Sequence, residues 1–318
     1  MEVEAALPPP HIRLNSALRR YALRVTMLVA RNHPVRQAIE RALITRQEEQ
    51  SVDQDSDSNT QPAKSTTYRQ LLAIADSIAS IRTRHQETVL CFRFQPWETA
   101  TPYSIEISQE GKEDTATAHN AYIQARIGSS LLAIYGDASS IPDRTGIGVG
   151  LVAYDYQNRG HELYQETINI GKGQIVYNGE LEAITRGFEY AATVASGFKD
   201  IYIYADNQAA IYRIKTPSDK PGQIWQLRCL RAAKKVQDAG ASIALHWVPG
   251  HTDIPGNEKA DTLAKEAAKL SPLSDVTSLA LVSIKIKSLA LQEWRKYLQQ
   301  YTPGAVQKTP STYAARYT

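Results

Sequence analysis

A chain of 318 residues, 42% apolar and 22% charged, has room for about two ordinary domains and the composition of a folded rather than a disordered protein. Its net charge of +3 is too small to assign a nucleic-acid partner, so where the charges sit matters more than their sum. Cys91 and Cys229 carry no metal or disulfide spacing and fit a reducing compartment. No apolar run reaches the roughly 20 residues of a membrane helix, so the expectation is a soluble intracellular chain, nuclear or cytoplasmic, with no membrane partner.

Residues 12–30 place Leu14, Leu18, Tyr21, Val25 and Leu28 at alternating spacings of four and three, which predicts a helix burying that stripe. Arg13, Arg19, Arg20, Arg24 and Arg31 decorate it, as a solvated face or as a nucleic-acid or partner surface. Residues 1–49 are thus expected to be a helical flank. "QSVDQDSDSNTQPAKSTT", residues 50–67, is polar and aperiodic and predicts a disordered linker. Its Asp53, Asp55 and Asp57 imitate a calcium loop, but Ser58 replaces the required Gly and Lys64 the closing Glu. A short helix at 68–82 and strand-like pieces in "VLCFRF" and "YSIEIS" leave 68–129 a poorly defined connector.

The pattern sharpens over residues 130–270. "SLLAIYGDAS" predicts a strand ending at Asp137, followed by strands at 146–155 and 161–170. A helix at 179–195, a strand at 200–206 ending at Asp206, a helix at 222–240, a strand at 241–248 and a helix at 257–270 complete the run. The order β-β-β-α-β-α-β-α predicts an α/β fold, a mixed five-stranded sheet with helices on its faces. A final helix near 276–300 and a polar tail account for 271–318.

Asp137 and Asp206 stand at carboxyl ends of predicted strands, where open α/β sheets bind ligands. Glu180 opens the helix between them, and Asp261 lies in the first turn of the last helix of the region. Each has a plain reading, as an Asx turn or a helix-dipole partner. Convergence of all four would put like charges together, which only cations make tolerable, and hard oxygen ligands suit Mg²⁺ or Mn²⁺. Two such ions can clamp a phosphodiester for attack by water. His251, in a Gly/Pro loop, is positioned to shuttle protons.

The segments "YGDAS", "GELEAI", "YADNQAAI" and above all "HWVPGHTDIPGNEKADTLAKEA" resemble the type 1 ribonuclease H family over about 130–270. The resemblance implies a ribonuclease H-like sheet and metal-binding carboxylates at Asp137, Glu180, Asp206 and Asp261. It also implies a mobile loop histidine at His251, two Mg²⁺ ions, and RNA–DNA hybrid as substrate, its RNA strand cut to leave 5′-phosphate ends. Gln208 matches a hybrid-binding position. Where many members carry an Asn this chain has Val176, the nearest being Asn178. Trp225, Arg228, Arg231, Lys234 and Lys235 fall where members often grip the DNA strand. Charges over 131–270 are nearly balanced, 15 basic against 16 acidic, so any footprint is local. The flanks resemble those around this domain in fungal non-LTR retrotransposon polyproteins, which implies a reverse transcriptase domain as partner.

Two alternatives frame the expectation. An integrase- or transposase-like nuclease would keep a Glu about 36 positions after the second Asp, where this chain has Ser242. An inactive hybrid-binding relic would have no reason to keep four carboxylates. Dinucleotide binding through "GIGVG" fails, because Gly146, Gly148 and Gly150 alternate along a strand and Leu151 replaces the last glycine.

Overall fold

The computed structural model describes residues 7–25, 33–52, 66–77, 79, 85–94, 97, 100–142 and 146–301. The aspartates of the calcium-like stretch and the polar tail beyond 301 lie outside these residues, as does Leu28. The chain divides into two compact units, one drawing on residues before Phe92 and from Leu279 onward, the other spanning Phe92–Ser278.

The first unit is helical: α1 (Pro10–Leu23), α2 (Pro34–Val52), α3 (Thr66–Asp76) and α9 (Leu279–Tyr301). Pro10 sits at the first position of α1, where a missing N–H costs nothing. The helix and the turn after it bury the expected stripe only in part, with Val25 buried and Leu18 half-buried. Leu14 is 68% exposed and Tyr21 42%, whereas Ile12, Ser16 and Leu23 are buried on the face turned to α9. The apolar spacing was right for a helix, but the small Ser16 side is the one that admits a close neighbour. Leu23, Val89, Leu279, Val282 and Ile286 form one small core, Val25, Ile39 and Ala75 another. Glu87 accepts the amide of Leu279 at 2.9 Å and so caps α9. Helix α2 runs to Val52 and α3 starts at Thr66, so both invade the expected linker.

The second unit carries a six-stranded mixed sheet, one strand more than expected. Its members are β1 (Ser104–Glu106), β2 (Leu131–Ser139), β3 (Gly148–Asp155), β4 (His161–Asn169), β5 (Asp200–Ala205) and β6 (Ser242–Trp247). Their order is β1-β6-β5-β2-β3-β4, antiparallel from β2 through β3 to β4 and parallel from β2 through β5 and β6 to β1. The extra strand lies in "YSIEIS"; "VLCFRF" is irregular, with a turn at Cys91 and Phe92. Residues 92–129, expected to be a connector, fall within the sheet-bearing unit.

Leu132, Ile134, Leu151, Ile201 and Ile203 meet α5 (Val176–Val194) and α7 (Gln223–Asp238) through Leu181, Ile184, Phe188 and Cys229. On the other face Leu131, Ala133, Tyr135 and Val152 meet Ala116 and Ile123 of α4 (Lys112–Ala125) and Ala260 and Leu263 of α8 (Pro255–Ala267). Cover on both faces explains why β2 is buried from Leu131 to Ala138 instead of alternating. The short helix α6 (Gln208–Lys215) was not anticipated; Asn207 caps it, its side chain accepting the Ala210 amide at 3.0 Å.

The glycines of "GIGVG" have a packing role. A Cβ on Gly150 would stand 2.3 Å from the Ala260 carbonyl oxygen, and one on Gly148 2.0 Å from that of Ala264. Strand β3 therefore lacks side chains where α8 crosses it, and α8 rests directly on the backbone.

Candidate active site

Strand pairing decides where the first carboxylate points. Asp137 faces Gly150 across the β2–β3 ladder, so its side chain leaves the sheet toward α8. Asp206 follows the last residue of β5, the parallel neighbour of β2. Glu180 comes from α5, in its second turn rather than at its opening. The helix can come this close because Gly179 packs on Ala138 and Ile147 with no room for a side chain, a Cβ there falling within 2.7 Å of both. Carboxylate oxygens of Asp137, Glu180 and Asp206 all lie within 4.8 Å of one another.

Asp261 joins them from α8. That helix begins at Pro255, so Asp261 stands in its second turn and not in the first. Its charge is among those that raise the Asp137 carboxyl. It also groups with His251 and Glu258, whose ligand atoms lie within 4.8 Å of its own. The four acids thus come from β2, α5, the end of β5 and α8.

Burial and mutual repulsion dominate the electrostatics. Asp137 and Glu180 are 7% and 4% exposed. Burial first, then the charges of Asp206 and Asp261, raise the Asp137 carboxyl from 3.8 to about 7, against the Ala138 amide that donates to it at 2.7 Å. Burial, followed by Asp137 and Asp206, pushes Glu180 well above the usual carboxylate range. Asp206 is raised by burial and by Asp261, opposed by His251 and by a hydrogen bond from Asn257. Among the described residues only Lys265 forms an ion pair with this set, Nζ to the Asp261 Oδ2 at 2.5 Å. Glu180 Oε2 is buried without any hydrogen-bond partner. An orphaned carboxylate oxygen amid like charges is costly unless a cation completes it.

The loop after β6 is built around Asp206. A Cβ on Gly250 would come 2.3 Å from the Asp206 Oδ2, so only glycine lets the loop pass this close. His251 and Asp253 both adopt left-handed backbone, φ 57° and 55°, and His251 is exposed. Thr252 Oγ1 donates to the Pro249 carbonyl at 2.8 Å and tightens the turn. Trp247 Nε1 donates to the Asp206 carbonyl at 2.8 Å, tying the end of β6 to the site.

The residues expected to touch nucleic acid separate into two kinds. Gln208, Arg231, Lys234 and Lys235 are exposed, Lys234 pairing with Asp238 at 2.9 Å. Trp225 is buried in the core, its Nε1 donating to Glu182 at 2.7 Å. Arg228 donates to Glu182 and Glu189, at 2.5 and 2.7 Å, and closes a network between α5 and α7. Asn178 is 2% exposed, its Nδ2 donating to Gln174 at 2.7 Å. Sequence reasoning passed over Asn257 and Glu258, both within the quoted loop motif and about one turn from Asp261, which it did single out.

A mixed sheet with buried acids gathered beside its central strand is the framework on which the comparisons with known proteins fall. Residues 129–269 match the RNase H family model, and the chain carries an RNase H domain over that span. Among solved structures, RNase H1 of the halophilic archaeon Halobacterium salinarum is 25% identical, covering 43% of this chain and 96% of its own, with a TM-score of 0.34. LC11-RNase H1 in complex with an RNA/DNA hybrid is 18% identical, covering 43% and 96%, TM-score 0.34. The protease-reverse transcriptase of prototype foamy virus is 18% identical, covering 44% of this chain and 21% of its own, TM-score 0.36.

Proposed function

We propose that this domain is a metal-dependent endonuclease that hydrolyses the RNA strand of RNA–DNA hybrids and leaves 5′-phosphate ends. The observation that carries the reading is the gathering of Asp137, Glu180 and Asp206 within 4.8 Å, with Asp261 near enough for its charge to raise the Asp137 carboxyl. All the donors are hard carboxylate oxygens, the set that suits Mg²⁺ or Mn²⁺, and the orphaned Glu180 Oε2 fits the same purpose. Asp137, Glu180, Asp206 and Asp261 would hold two such ions. Bound there, the ions would lower the pKa of a water and neutralise charge on the phosphate.

The chain's own groups do the rest. The β2–β3 ladder and the glycine seat of α8 fix Asp137 and Asp261 relative to each other. Asn257 favours the charged form of the Asp206 carboxylate. His251, exposed on its loop beside Glu258 and Asp261, is placed to hand a proton to the leaving oxygen. Arg231 and Lys235, exposed along α7, provide phosphate contacts. On the resemblance of its flanks, we place this nuclease beside a reverse transcriptase of a retroelement.

The test is cleavage of labelled RNA–DNA hybrid, RNA duplex and DNA duplex, each with Mg²⁺ and with chelator. Only the hybrid should be cut, and only with the ion. Hybrid binding without any cleavage would favour an inactive binding domain, and cutting of DNA duplex a DNA-processing nuclease.

Two variants separate the roles. His251→Ala should slow turnover severalfold to about a hundredfold, at or below the usual span for a lost proton-transfer group, and leave metal affinity by calorimetry unchanged. Reduced metal affinity would instead put His251 in a ligand set with Glu258 and Asp261. Replacing Arg231 and Lys235 with Ala should flatten the salt dependence of hybrid binding, its slope falling by roughly 0.7–0.9 for each phosphate no longer neutralised. An unchanged slope would make them a solvated face.

A further inference from the structure

Residues 104–125 precede the RNase H span and add β1 at the edge beside β6 and α4 across the adjoining face. Between these additions and the sheet lies a cavity of about 680 Å³, within the range that holds small organic ligands. Its walls include the rings of Tyr122, Tyr202, Tyr204 and His246 and the carboxylates of Glu106 and Glu110. The rings do not form a flat stack. Tyr122 and Tyr202 stand 6.3 Å apart at 32°, Tyr202 and Tyr204 6.4 Å apart at 90°, and His246 lies 4.7 Å from Tyr202 and 5.3 Å from Tyr204. Tyr204 is 3% exposed and stacked on Tyr135, so Tyr122 and Tyr202 offer the more accessible ring surface.

No lysine or arginine is among the described residues lining the cavity. Burial lowers the His119 imidazole to about 4 and lowers that of His246 against the pull of Glu106. Burial also raises the hydroxyls of Tyr202 and Tyr204 above their ordinary range. The acidic side chains of the lining, Glu106 and Glu110, thus face no lysine or arginine among its described residues.

We propose that this cavity binds an organic cation, an alkylammonium or guanidinium group, carried by a free polyamine or by a side chain of a peptide. Tyrosine faces attract such cations within about 6 Å of the ring centre, and carboxylates at the rim add charge complementarity. The chain already shows the chemistry: the Arg126 guanidinium stands 5.8 Å from the Tyr122 ring centre and the Lys215 Nζ 6.0 Å from that of Tyr212. A metal ion fits less well. His246 Nδ1 and Glu106 are 3.4 Å apart, but among the described residues they belong to no group of three close donors.

The site is independent of the nuclease reading, and its test involves no cleavage. Choline and its uncharged carbon isostere are titrated into the full chain while the ring resonances of Tyr202, Tyr204 and His246 are followed by NMR. Choline should shift them saturably and the isostere should not. Spermidine and arginine amide then represent the free and the peptide-borne source, and the tighter of the two identifies which it is. Glu106→Gln combined with Glu110→Gln, both exposed and so compatible with the fold, should weaken cation binding severalfold, the scale of one or two exposed ion pairs. Equal binding of choline and isostere, no shift with any cation up to millimolar concentration, or unchanged affinity in the double variant would overturn the proposal.

Discussion

Asp137→Asn is expected to lower hybrid cleavage by more than the roughly 10²–10³-fold that loss of one preorganised electrostatic group costs. Asp137 lies close to Glu180 and Asp206, so on the proposed reading its removal would disrupt the binding of both ions, while hybrid binding, set by phosphate contacts elsewhere, should barely change. The same variant has a second readout. Burial and Asp206 hold the Asp137 carboxyl at about 7 in the folded chain against 3.8 for a free one. The unfolded chain therefore releases this proton first. Between about pH 4 and 7 the folded state binds more protons, and the contribution of Asp137 to stability falls as pH rises. Asn lacks that slope. In chelator, the stability of the wild type relative to the variant should decline across this window by a few kcal/mol, at about 1.4 kcal/mol for each step of one in pH. Mg²⁺ should remove the penalty in the wild type alone. Full activity in Asp137→Asn, or a difference that stays flat with pH in urea titrations, would contradict the site.

Gly150→Ala should destabilise the protein by at least about 3 kcal/mol, the upper part of the usual overpacking range. The new methyl would lie 2.3 Å from the Ala260 carbonyl oxygen and 2.4 Å from the Ala264 amide nitrogen, both backbone atoms that cannot rotate away. Either α8 lifts off the sheet or β3 bends. In both cases Asp261 leaves Asp137, and cleavage should fall together with thermal stability. Gly197→Ala, with nothing within 4 Å of the new carbon, is the matched control and should be close to neutral. A Gly150→Ala protein that melts and cleaves like the wild type would show that the helix seat is not needed.

The sheet and the four acids were legible because their signals are local. Apolar runs such as "SLLAIYGDAS" mark strands buried on both faces, and the loop motif marks the turn into α8. Chain geometry moved Glu180 and Asp261 by one turn, since the helices start at Val176 and Pro255, ahead of the expected starts at residues 179 and 257. The helix α4 was hidden because it buries only Thr115, Ala116 and Ile123, too few apolar positions to show a period. The α1 stripe misled for a related reason: spacing reveals a helix, but the neighbour decides which side is covered. The glycines of "GIGVG" carry no legible meaning until α8 is seen lying on them. Trp225 and Arg228 looked like a grip for nucleic acid in the sequence, whereas Glu182, inside "GELEAI", holds both.

The ends of the cleaved RNA test the central claim most directly. Ions held by Asp137, Glu180, Asp206 and Asp261 would activate a water for attack on phosphorus, so on the proposed reading each cut should leave a 5′-phosphate and a 3′-hydroxyl. Cleavage by the neighbouring ribose hydroxyl needs no such site and leaves a 2′,3′-cyclic phosphate. We expect mass spectrometry of hybrid digested with Mg²⁺ to show only 5′-phosphate and 3′-hydroxyl ends, and digestion with chelator to show no cuts. Cyclic phosphate ends, or cutting that survives the chelator, would contradict a metal-bearing carboxylate site.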